Sequence, residues 1–256
     1  TPVAYGRPAT ISYDKDAKIL TIVGASPEDF QNVWRNYLDL DRDYGAIKTA
    51  LAADDPVMAR AIEFGSGIRI LNQEKWETLV SFIISQNNNI PRIKKCIESL
   101  ARTLGEEVGE FGGRTWYKLP SPERLAAATE EDLAPCKLGY RAKYLIATGR
   151  KVAEEGVDSL DKLAVPYMTA GETVDALREY TGVGPKVANC ISLFAMGQID
   201  SFPIDVWVKR VMHQLYGIEE GDMKAMARYA KDHFGALGGI AQQYLFYYIT
   251  HCEDLV

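Results

Sequence analysis

Two glycines, a lysine and a cysteine lie close together in the segment Tyr180-Thr-Gly-Val-Gly-Pro-Lys-Val-Ala-Asn-Cys190. Gly182 and Gly184 predict a tight turn, and a helix that starts directly after a turn presents its first N–H groups to an anion. Lys186 and Cys190 are four residues apart, so they share one helix face. An amine beside a backbone anion site could attack a phosphate-bearing substrate once it is deprotonated. A helical corner with a solvated lysine is an equally good interpretation of this segment alone.

A carboxylate follows the lysine at the end of the segment Phe202-Pro-Ile-Asp205. Asp205 stands where a helix N-cap is expected, and a helix N-terminus favours an ionised carboxylate. A helix, a returning loop and an aspartate at the next N-cap can bring this carboxylate close to Lys186. The alternative is that Asp205 only caps its helix.

The elements that position these residues are predicted to be mainly helical. Segment Leu177–Tyr180, the turn and segment Lys186–Ala195 form a helix–hairpin–helix at about 174–196. Near the start of the chain, 9–13 and 18–23 alternate like two strands, and we expect them to belong to a larger sheet because an isolated hairpin is marginal. From Ser26-Pro27, a helix start, the pattern is helical to the end.

The expected organisation is a β-containing N-terminal domain with leading helices over 1–70, followed by a helical domain over 71–256. Helices are predicted around 76–84 and 93–104, as a short helix that begins at 120–123, and from the turn at 137–140 to about 155. Further helices are predicted after a capping box at Thr169–Glu172, from 186 to near 197, after Asp205, and on both sides of 235–239.

Composition restricts the class of protein. The 256 residues are 47% hydrophobic and 25% charged, which is typical of a globular protein. No apolar run is as long as a membrane span, and no signal peptide is recognisable. The four cysteines are scattered without metal-type spacing, so we expect free thiols in a reducing compartment and no iron–sulfur cluster. No catalytic metal is expected, although the hairpin could hold a monovalent cation.

The charge distribution is uneven. A net charge of −6 argues against nucleic acid if taken alone, but binding is set by local patches. Segment 137–151 holds five basic residues and no acidic one, and Arg92, Lys94 and Lys95 form a second cluster. Each cluster taken separately could also be a solvated helix face.

Four motifs together resemble the 8-oxoguanine DNA glycosylase/AP lyase family of the helix–hairpin–helix, Gly/Pro-rich loop, Asp superfamily. In chain order, they are Ser85-Gln-Asn-Asn-Asn-Ile-Pro-Arg92, Lys137-Leu-Gly-Tyr-Arg-Ala-Lys-Tyr, Gly182-Val-Gly-Pro-Lys-Val-Ala and Phe202-Pro-Ile-Asp-Val. This is also the order of the corresponding motifs in the family. The resemblance covers roughly Trp34 to the C-terminus. It implies the helix–hairpin–helix DNA glycosylase fold with part of an N-terminal β-containing domain, and no cofactor.

The resemblance assigns the reaction to Lys186 and Asp205. Lys186 resembles the lysine that displaces the base, forms a Schiff base and permits β-elimination. Asp205 resembles the aspartate that stabilises positive charge on the sugar. Cys190 and Phe246 match the thiol and ring that sandwich the flipped base, and Gln242 matches the glutamine at its Watson–Crick edge. Taken singly, Phe246 would be core and Gln242 surface.

The resemblance also assigns the contacts with the rest of the duplex. Asn87, Arg92 and Arg141 match the residues that bond the orphaned cytosine, whose acceptors suit arginine. Tyr140 matches an aromatic side chain that the family inserts as a wedge into the base stack, on the side of the cytosine. The expected contacts with the DNA backbone are made by Gly182, Val183, Gly184, Val187 and Trp207.

Three departures from the family pattern are visible. The family's Gly-Gln-small-Phe segment, whose glycine recognises the oxidised base, is not found. Trp207 stands where better-known eukaryotic members have a phosphate-binding histidine, and Thr181 replaces the usual proline of the hairpin. The first departure concerns the specificity for the damaged base, and the other two concern binding to DNA rather than the chemical reaction.

The sequence therefore predicts a bifunctional glycosylase/lyase that excises 8-oxoguanine, preferably opposite cytosine. The alternatives are a related glycosylase for another damaged base and a non-catalytic helix–hairpin–helix DNA-binding module. The expected partner is double-stranded DNA containing an oxidised purine, with no membrane, and the protein is expected to be a monomer. The expected location is the cytoplasm with its nucleoid in a prokaryote or the nucleus in a eukaryote, without secretion.

Overall fold

The fold is described by a computed structural model that covers residues 3–14 and 16–253. It forms two compact units, each discontinuous in sequence. The first contains the residues up to Leu40, Gln73–Lys162 and Arg178–Val183, and the second contains Asp41–Asn72, Leu163–Leu177 and the residues from Gly184 onwards. The division into 1–70 and 71–256 stays a prediction.

The helices confirm the mainly helical fold class. They are α1 Pro27–Asp29, α2 Arg35–Tyr37, α3 Tyr44–Ala52, α4 Pro56–Phe64, α5 Lys75–Ser85, α6 Ile90–Leu104, α7 Pro122–Ala126, α8 Arg141–Glu155, α9 Ala170–Leu177, α10 Pro185–Ala195, α11 Val206–Tyr216, α12 Met223–Tyr229 and α13 Gly238–His251. Two π-helical turns, Phe30–Trp34 and Ala230–Phe234, and three 3₁₀ turns, Ala134–Cys136, Val157–Leu163 and Gly235–Leu237, complete the helical part.

The strands are short and form three antiparallel pairs. They are β1 Val3–Ala4 with β2 Arg7–Pro8, β3 Thr10–Asp14 with β4 Ile19–Val23, and β5 Glu107–Phe111 with β6 Arg114–Tyr117. The β3–β4 hairpin is where the alternation predicts it. The prediction that it belongs to a larger sheet is wrong for the described residues, because β3 and β4 form a sheet of two strands. Ile11 and Ile22 pack instead against a buried cluster that includes Val33 and Trp34. Packing against a helix replaces the support of further strands.

The β5–β6 hairpin corrects a second prediction. The chain is not helical throughout from Ser26, because residues 107–117 form two strands. Gly112 and Gly113 join them with φ of +63° and +72°. A Gly-Gly pair between two short strand-like runs is a signal for a two-residue hairpin turn. The sequence therefore contains a local signal for this hairpin, which the prediction of helix from Ser26 onwards did not take into account.

Helix α5 forms a central element of the first unit. Its side chains Leu79, Val80, Ile83 and Ile84 are fully buried, in agreement with their i, i+1, i+4, i+5 spacing. Each contributes about 1.5–3 kcal/mol relative to an exposed position. The indole N–H of Trp76 donates to the carbonyl of Pro120 at 2.8 Å, which fixes the chain entering α7.

The core of the second unit is formed by α3, α4, α11, α12 and α13. Fully buried residues include Met58 on α4, Val208 and Val211 on α11, and Tyr244 and Leu245 on α13. This packing holds α11, which begins after Asp205, against the last helix of the chain.

A buried carboxylate, Asp55, links three elements of the second unit. It caps α4 by accepting two backbone N–H groups at 2.9 Å. It also lies 2.9 Å from the hydroxyl of Tyr216 and 2.9 Å from Nε2 of His233. Burial by itself raises the pKa of Asp55, but the hydrogen bonds outweigh it, so the pKa lies below its ordinary value.

This cluster predicts acid sensitivity. A carboxyl with a lowered folded-state pKa stabilises the fold above its unfolded pKa of about 3.9, and this stabilisation is lost as the pH falls through the folded value. Asp55→Asn should cost about 1–3 kcal/mol at pH 7 and flatten the loss of stability between pH 5 and pH 2. Urea unfolding across this pH range measures both effects. The exposed Glu220→Gln serves as the control, and an unchanged pH slope in Asp55→Asn would contradict the assignment.

Candidate active site

The structure brings Lys186 and Cys190 together on α10, as their spacing predicts. Lys186 is exposed on the first turn, and its side chain hydrogen-bonds the buried Cys190 thiol. Burial raises the pKa of the thiol to about 11, although the bond and charge of Lys186 act in the opposite direction. Cys190 therefore stays a neutral thiol at physiological pH, and thiols attack only as thiolates. Of this pair, only the amine could serve as a nucleophile, once it is deprotonated.

Asp205 is the third member of this group. Its carboxylate accepts the backbone N–H groups of Trp207 at 3.0 Å and Val208 at 2.9 Å, so it caps α11 as predicted. Its negative charge also acts on Cys190 and adds to the rise of the thiol pKa. The side chain is half-buried. Asp205 is thus a helix cap and at the same time a fixed charge that acts electrostatically on Cys190.

The loop that carries Asp205 is held by contacts that the sequence did not reveal. The buried hydroxyls of Ser192 on α10 and Ser201 lie 2.7 Å apart. The N–H of Gly239 donates to the carbonyl of Ile199 at 2.7 Å. A Cβ at Gly239 would lie 2.6 Å from the Ser201 carbonyl oxygen, so only glycine permits this approach of α13. No motif singles out these two serines.

Gln242 and Phe246 lie on α13 in the same unit as Lys186, Cys190 and Asp205. Gln242 is buried rather than on the surface, and its Oε1 accepts the Nε2 donor of Gln243 at 2.6 Å. Phe246 is partly buried against the core of this unit. Their roles at the flipped base stay predictions.

Of the two hairpin glycines, Gly182 has the left-handed conformation that glycine favours, whereas Gly184 has an ordinary φ of −89°. Gly182 has φ +85°, and a Cβ there would lie 2.5 Å from the ring of Tyr144. The N–H of Val183 donates to the Tyr180 carbonyl at 3.0 Å and closes the turn. The sequence motifs did not predict that Tyr144, on α8, packs against the hairpin turn at Gly182.

Helix α10 begins at Pro185 after the N-cap residue Gly184, and no described side chain caps it. The side chain of Val187 is buried, so only its backbone could face an anion. An uncapped helix start of this kind suits a phosphate group.

Trp207 is half-buried at the start of α11. The guanidinium of Arg210 lies 4.9 Å from the centre of its ring, which places a cation on the indole.

A second group of predicted residues lies in the first unit, where Arg141 ties the Asn-rich loop to the start of α8. Arg141 is 3% exposed. Its guanidinium donates to the carbonyls of Gln86 at 2.9 Å, Asn87 at 2.9 Å and Leu138 at 3.1 Å. Asn87 has φ +44°. The donors expected to face cytosine are thus occupied by main-chain carbonyls in this structure.

Arg92 and Tyr140 lie on the surface of the same group. Arg92 is exposed, and its Nη2 donates to the carbonyl of Lys137 at 3.3 Å. Tyr140 is 44% exposed, stacks edge-on with Tyr144 at 5.6 Å and carries the Arg141 guanidinium 4.6 Å from its ring centre. The structure therefore brings the segment of Asn87 and Arg92 together with the distant segment of Tyr140 and Arg141 in the first unit, with Arg92 and Tyr140 exposed and Arg141 buried.

Within the described residues, no group of three or more His, Cys, Asp or Glu side chains could hold a metal ion. In the same part of the chain, every helix is too short or too polar to cross a membrane. The predictions that no metal and no membrane are involved remain predictions.

Comparison with known proteins identifies two matching families. Residues 1–79 match the N-terminal domain of 8-oxoguanine DNA glycosylase, and residues 80–233 match the HhH-GPD superfamily of base excision DNA repair proteins.

Similar proteins carry related names. A probable N-glycosylase/DNA lyase of Methanothermobacter thermautotrophicus is 30% identical over 75% of this chain and 67% of its own length. An N-glycosylase/DNA lyase of Saccharomyces cerevisiae is 38% identical over 59% of this chain, which spans 43% of the yeast protein.

A solved structure is also similar. It is the Clostridium acetobutylicum 8-oxoguanine glycosylase/lyase in complex with double-stranded DNA containing cytosine opposite to 8-oxoguanine. It is 38% identical, has a TM-score of 0.89, and covers 99% of this chain and 84% of its own.

Proposed function

Since this chain belongs to the 8-oxoguanine DNA glycosylase/AP lyase family within the HhH-GPD superfamily, we propose that it excises 8-oxoguanine opposite cytosine and then cuts the strand. The proposed substrate is duplex DNA carrying this oxidised purine. We also propose that it acts as a monomer where chromosomal DNA is held, in a nucleoid or a nucleus.

One observation carries the proposal. The Lys186 side chain hydrogen-bonds the Cys190 thiol on α10, the charge of Asp205 at the start of α11 acts on the same thiol, and burial keeps that thiol neutral. The amine supplies a nucleophile, and the fixed carboxylate supplies a negative charge that can stabilise a cationic sugar. The uncapped start of α10 supplies a binding site for phosphate. A DNA-binding module without catalysis would need only the last of these.

The proposed chemistry follows from these groups. The target nucleotide leaves the stack, because its glycosidic bond is inaccessible inside a duplex. Neutral Lys186 attacks C1′, the C1′–N9 bond breaks, and the electron pair leaves with the base, which takes up a proton. The Asp205 carboxylate stabilises the positive charge that develops on the sugar. Loss of a lysine proton and ring opening give a Schiff base, and removal of a C2′ proton then expels the 3′ phosphate.

Recognition of the opposite base is proposed for the group in the first unit. Exposed Arg92 can offer its guanidinium donors to the carbonyl and ring nitrogen of cytosine. Opposite adenine, the same donors would meet an amino group. Unpaired polar groups in a closed site cost about 1–3 kcal/mol, which corresponds to about a tenfold to hundredfold preference.

Arg92→Ala should therefore narrow the cytosine-to-adenine ratio of single-turnover excision rates without abolishing excision. Asn87 shares the contact, and Arg141 joins it only if its guanidinium leaves the carbonyls of Gln86 and Asn87, so part of the preference should remain. Lys95→Ala is the matched control, because an exposed lysine on the same helix should act on phosphate and lower activity equally for all four opposite bases. A cytosine-to-adenine ratio in Arg92→Ala equal to that of the wild type would exclude the base contact.

The proposed function is tested with a panel of duplexes that contain 8-oxoguanine, alkylated bases or formamidopyrimidines, each with borohydride trapping. We expect excision of 8-oxoguanine and a covalent adduct. Excision of alkylated bases alone would favour the related glycosylase. Binding without excision or trapping would favour the DNA-binding module.

A further inference from the structure

The first residue of α6, Ile90, is an apolar side chain that is 68% exposed. A single exposed isoleucine means little by itself. Its surroundings give it significance, because it lies between Asn87 and Arg92. These are two of the residues grouped near the proposed opposite base.

The backbone that carries Ile90 is fixed. Asn89 caps α6 by accepting the N–H of Arg92 at 3.0 Å. The Asn88 side chain donates to the carbonyl of Ile84 at 3.1 Å, and Asn87 takes a left-handed conformation. Ile90 is therefore held outward by its loop, with little entropy left to lose when it enters a binding surface.

The same loop is bonded to the segment that carries Tyr140. Arg141 donates to the carbonyls of Gln86 and Asn87, and Arg92 donates to the carbonyl of Lys137. We name residues 86–92 together with 137–141 the wedge platform. It presents two exposed apolar side chains, Ile90 and Tyr140, from one hydrogen-bonded body.

The charge around the wedge platform specifies its occupant. Segments 85–97 and 133–151 contain no acidic residue and hold Arg92, Lys94, Lys95, Lys137, Arg141, Lys143, Arg150 and Lys151, in a chain of net charge −6. A basic surface with protruding apolar groups is complementary to duplex DNA, whose phosphates bind the cations while apolar side chains enter base steps.

We infer that Ile90 is a second wedge, which unstacks a base step different from the one entered by Tyr140. Two rigid side chains on one platform cannot occupy the same step, and an isoleucine is among the residues that open steps in this way. Unstacking at two steps would separate the base pair that contains the target nucleotide from both neighbouring base pairs. This inference rests on the proposed function only in requiring duplex DNA as the ligand.

The test uses the full chain and a duplex with a tetrahydrofuran abasic analogue opposite cytosine, which is not cleaved. 2-Aminopurine is placed in turn at each position beside the analogue and beside the cytosine, and its fluorescence reports unstacking. The wild type should raise the fluorescence at two steps. Ile90→Ala should remove the increase at one step and weaken binding about tenfold, whereas Tyr140→Ala should remove it at the other. Ile90→Leu should restore the lost signal.

Ile19→Ala is the matched control, because Ile19 is a 57% exposed isoleucine on β4 of the same unit. It should change neither fluorescence nor affinity. The inference is overturned if Ile90→Ala behaves like Ile19→Ala, or if it weakens binding while both fluorescence increases persist. Unstacking that depends on Ile90, without any excision of 8-oxoguanine, would support the second wedge and contradict the proposed function. Excision of 8-oxoguanine without unstacking that depends on Ile90 would support the proposed function and contradict the second wedge.

Discussion

Replacing Lys186 with glutamine should abolish both the borohydride-trapped adduct and strand cleavage. Glutamine is slightly shorter than lysine and carries a hydrogen-bonding amide, but it cannot form a Schiff base. The neighbouring Cys190 cannot take over, because burial raises its thiol pKa to about 11. We expect a loss of at least about 10³-fold in cleavage rate, while affinity for DNA with an abasic analogue stays close to that of the wild type.

The measurement is single-turnover cleavage of an 8-oxoguanine duplex, with trapping read on a denaturing gel. Lys224→Gln on α12 is the control, since it changes an exposed lysine of the same unit and should trap normally. A covalent adduct that persists in Lys186→Gln would place the nucleophile elsewhere in the chain.

Replacing Asp205 with asparagine should slow base release by about 10²–10³-fold. The structure makes this substitution informative, because Asp205 accepts two backbone N–H groups through one oxygen. Asparagine is as good an N-cap as aspartate, so it keeps the cap and removes only the charge. Asp205→Ala removes both and should cost about 1 kcal/mol of stability in addition.

Excision rates and urea unfolding of the two variants separate the two roles. We expect Asp205→Asn to be nearly as stable as the wild type and almost inactive. If it instead excises at a near-normal rate and Asp205→Ala is merely less stable, the carboxylate is a helix cap only. Adding the pH dependence of the wild type would show whether the activity follows a basic group, as attack by a neutral amine requires.

Local patterns determined much of this protein. The period of the apolar residues in α5, the cap at Asp205, and the turn at Gly182 follow from contacts within about four residues along the chain. The shared face of Lys186 and Cys190 has the same origin. Such contacts are fixed by helix geometry and by backbone hydrogen bonding, so they can be deduced without knowing the rest of the fold. The β5–β6 hairpin was also encoded locally, in Gly112-Gly113, and was overlooked.

The tertiary structure decided which distant groups meet. The bonds from Arg141 to the carbonyls of Gln86 and Asn87, the Ser192–Ser201 pair and the meeting of Asp55 with His233 join residues from 9 to 178 positions apart. No local periodicity specifies such pairs, because they depend on how helices pack and on which close approaches glycines such as Gly239 permit. The sequence alone therefore predicted Lys186 and Asp205 as the reacting side chains, whereas packing determined which contacts hold the predicted site residues and which of their hydrogen-bonding groups are already occupied.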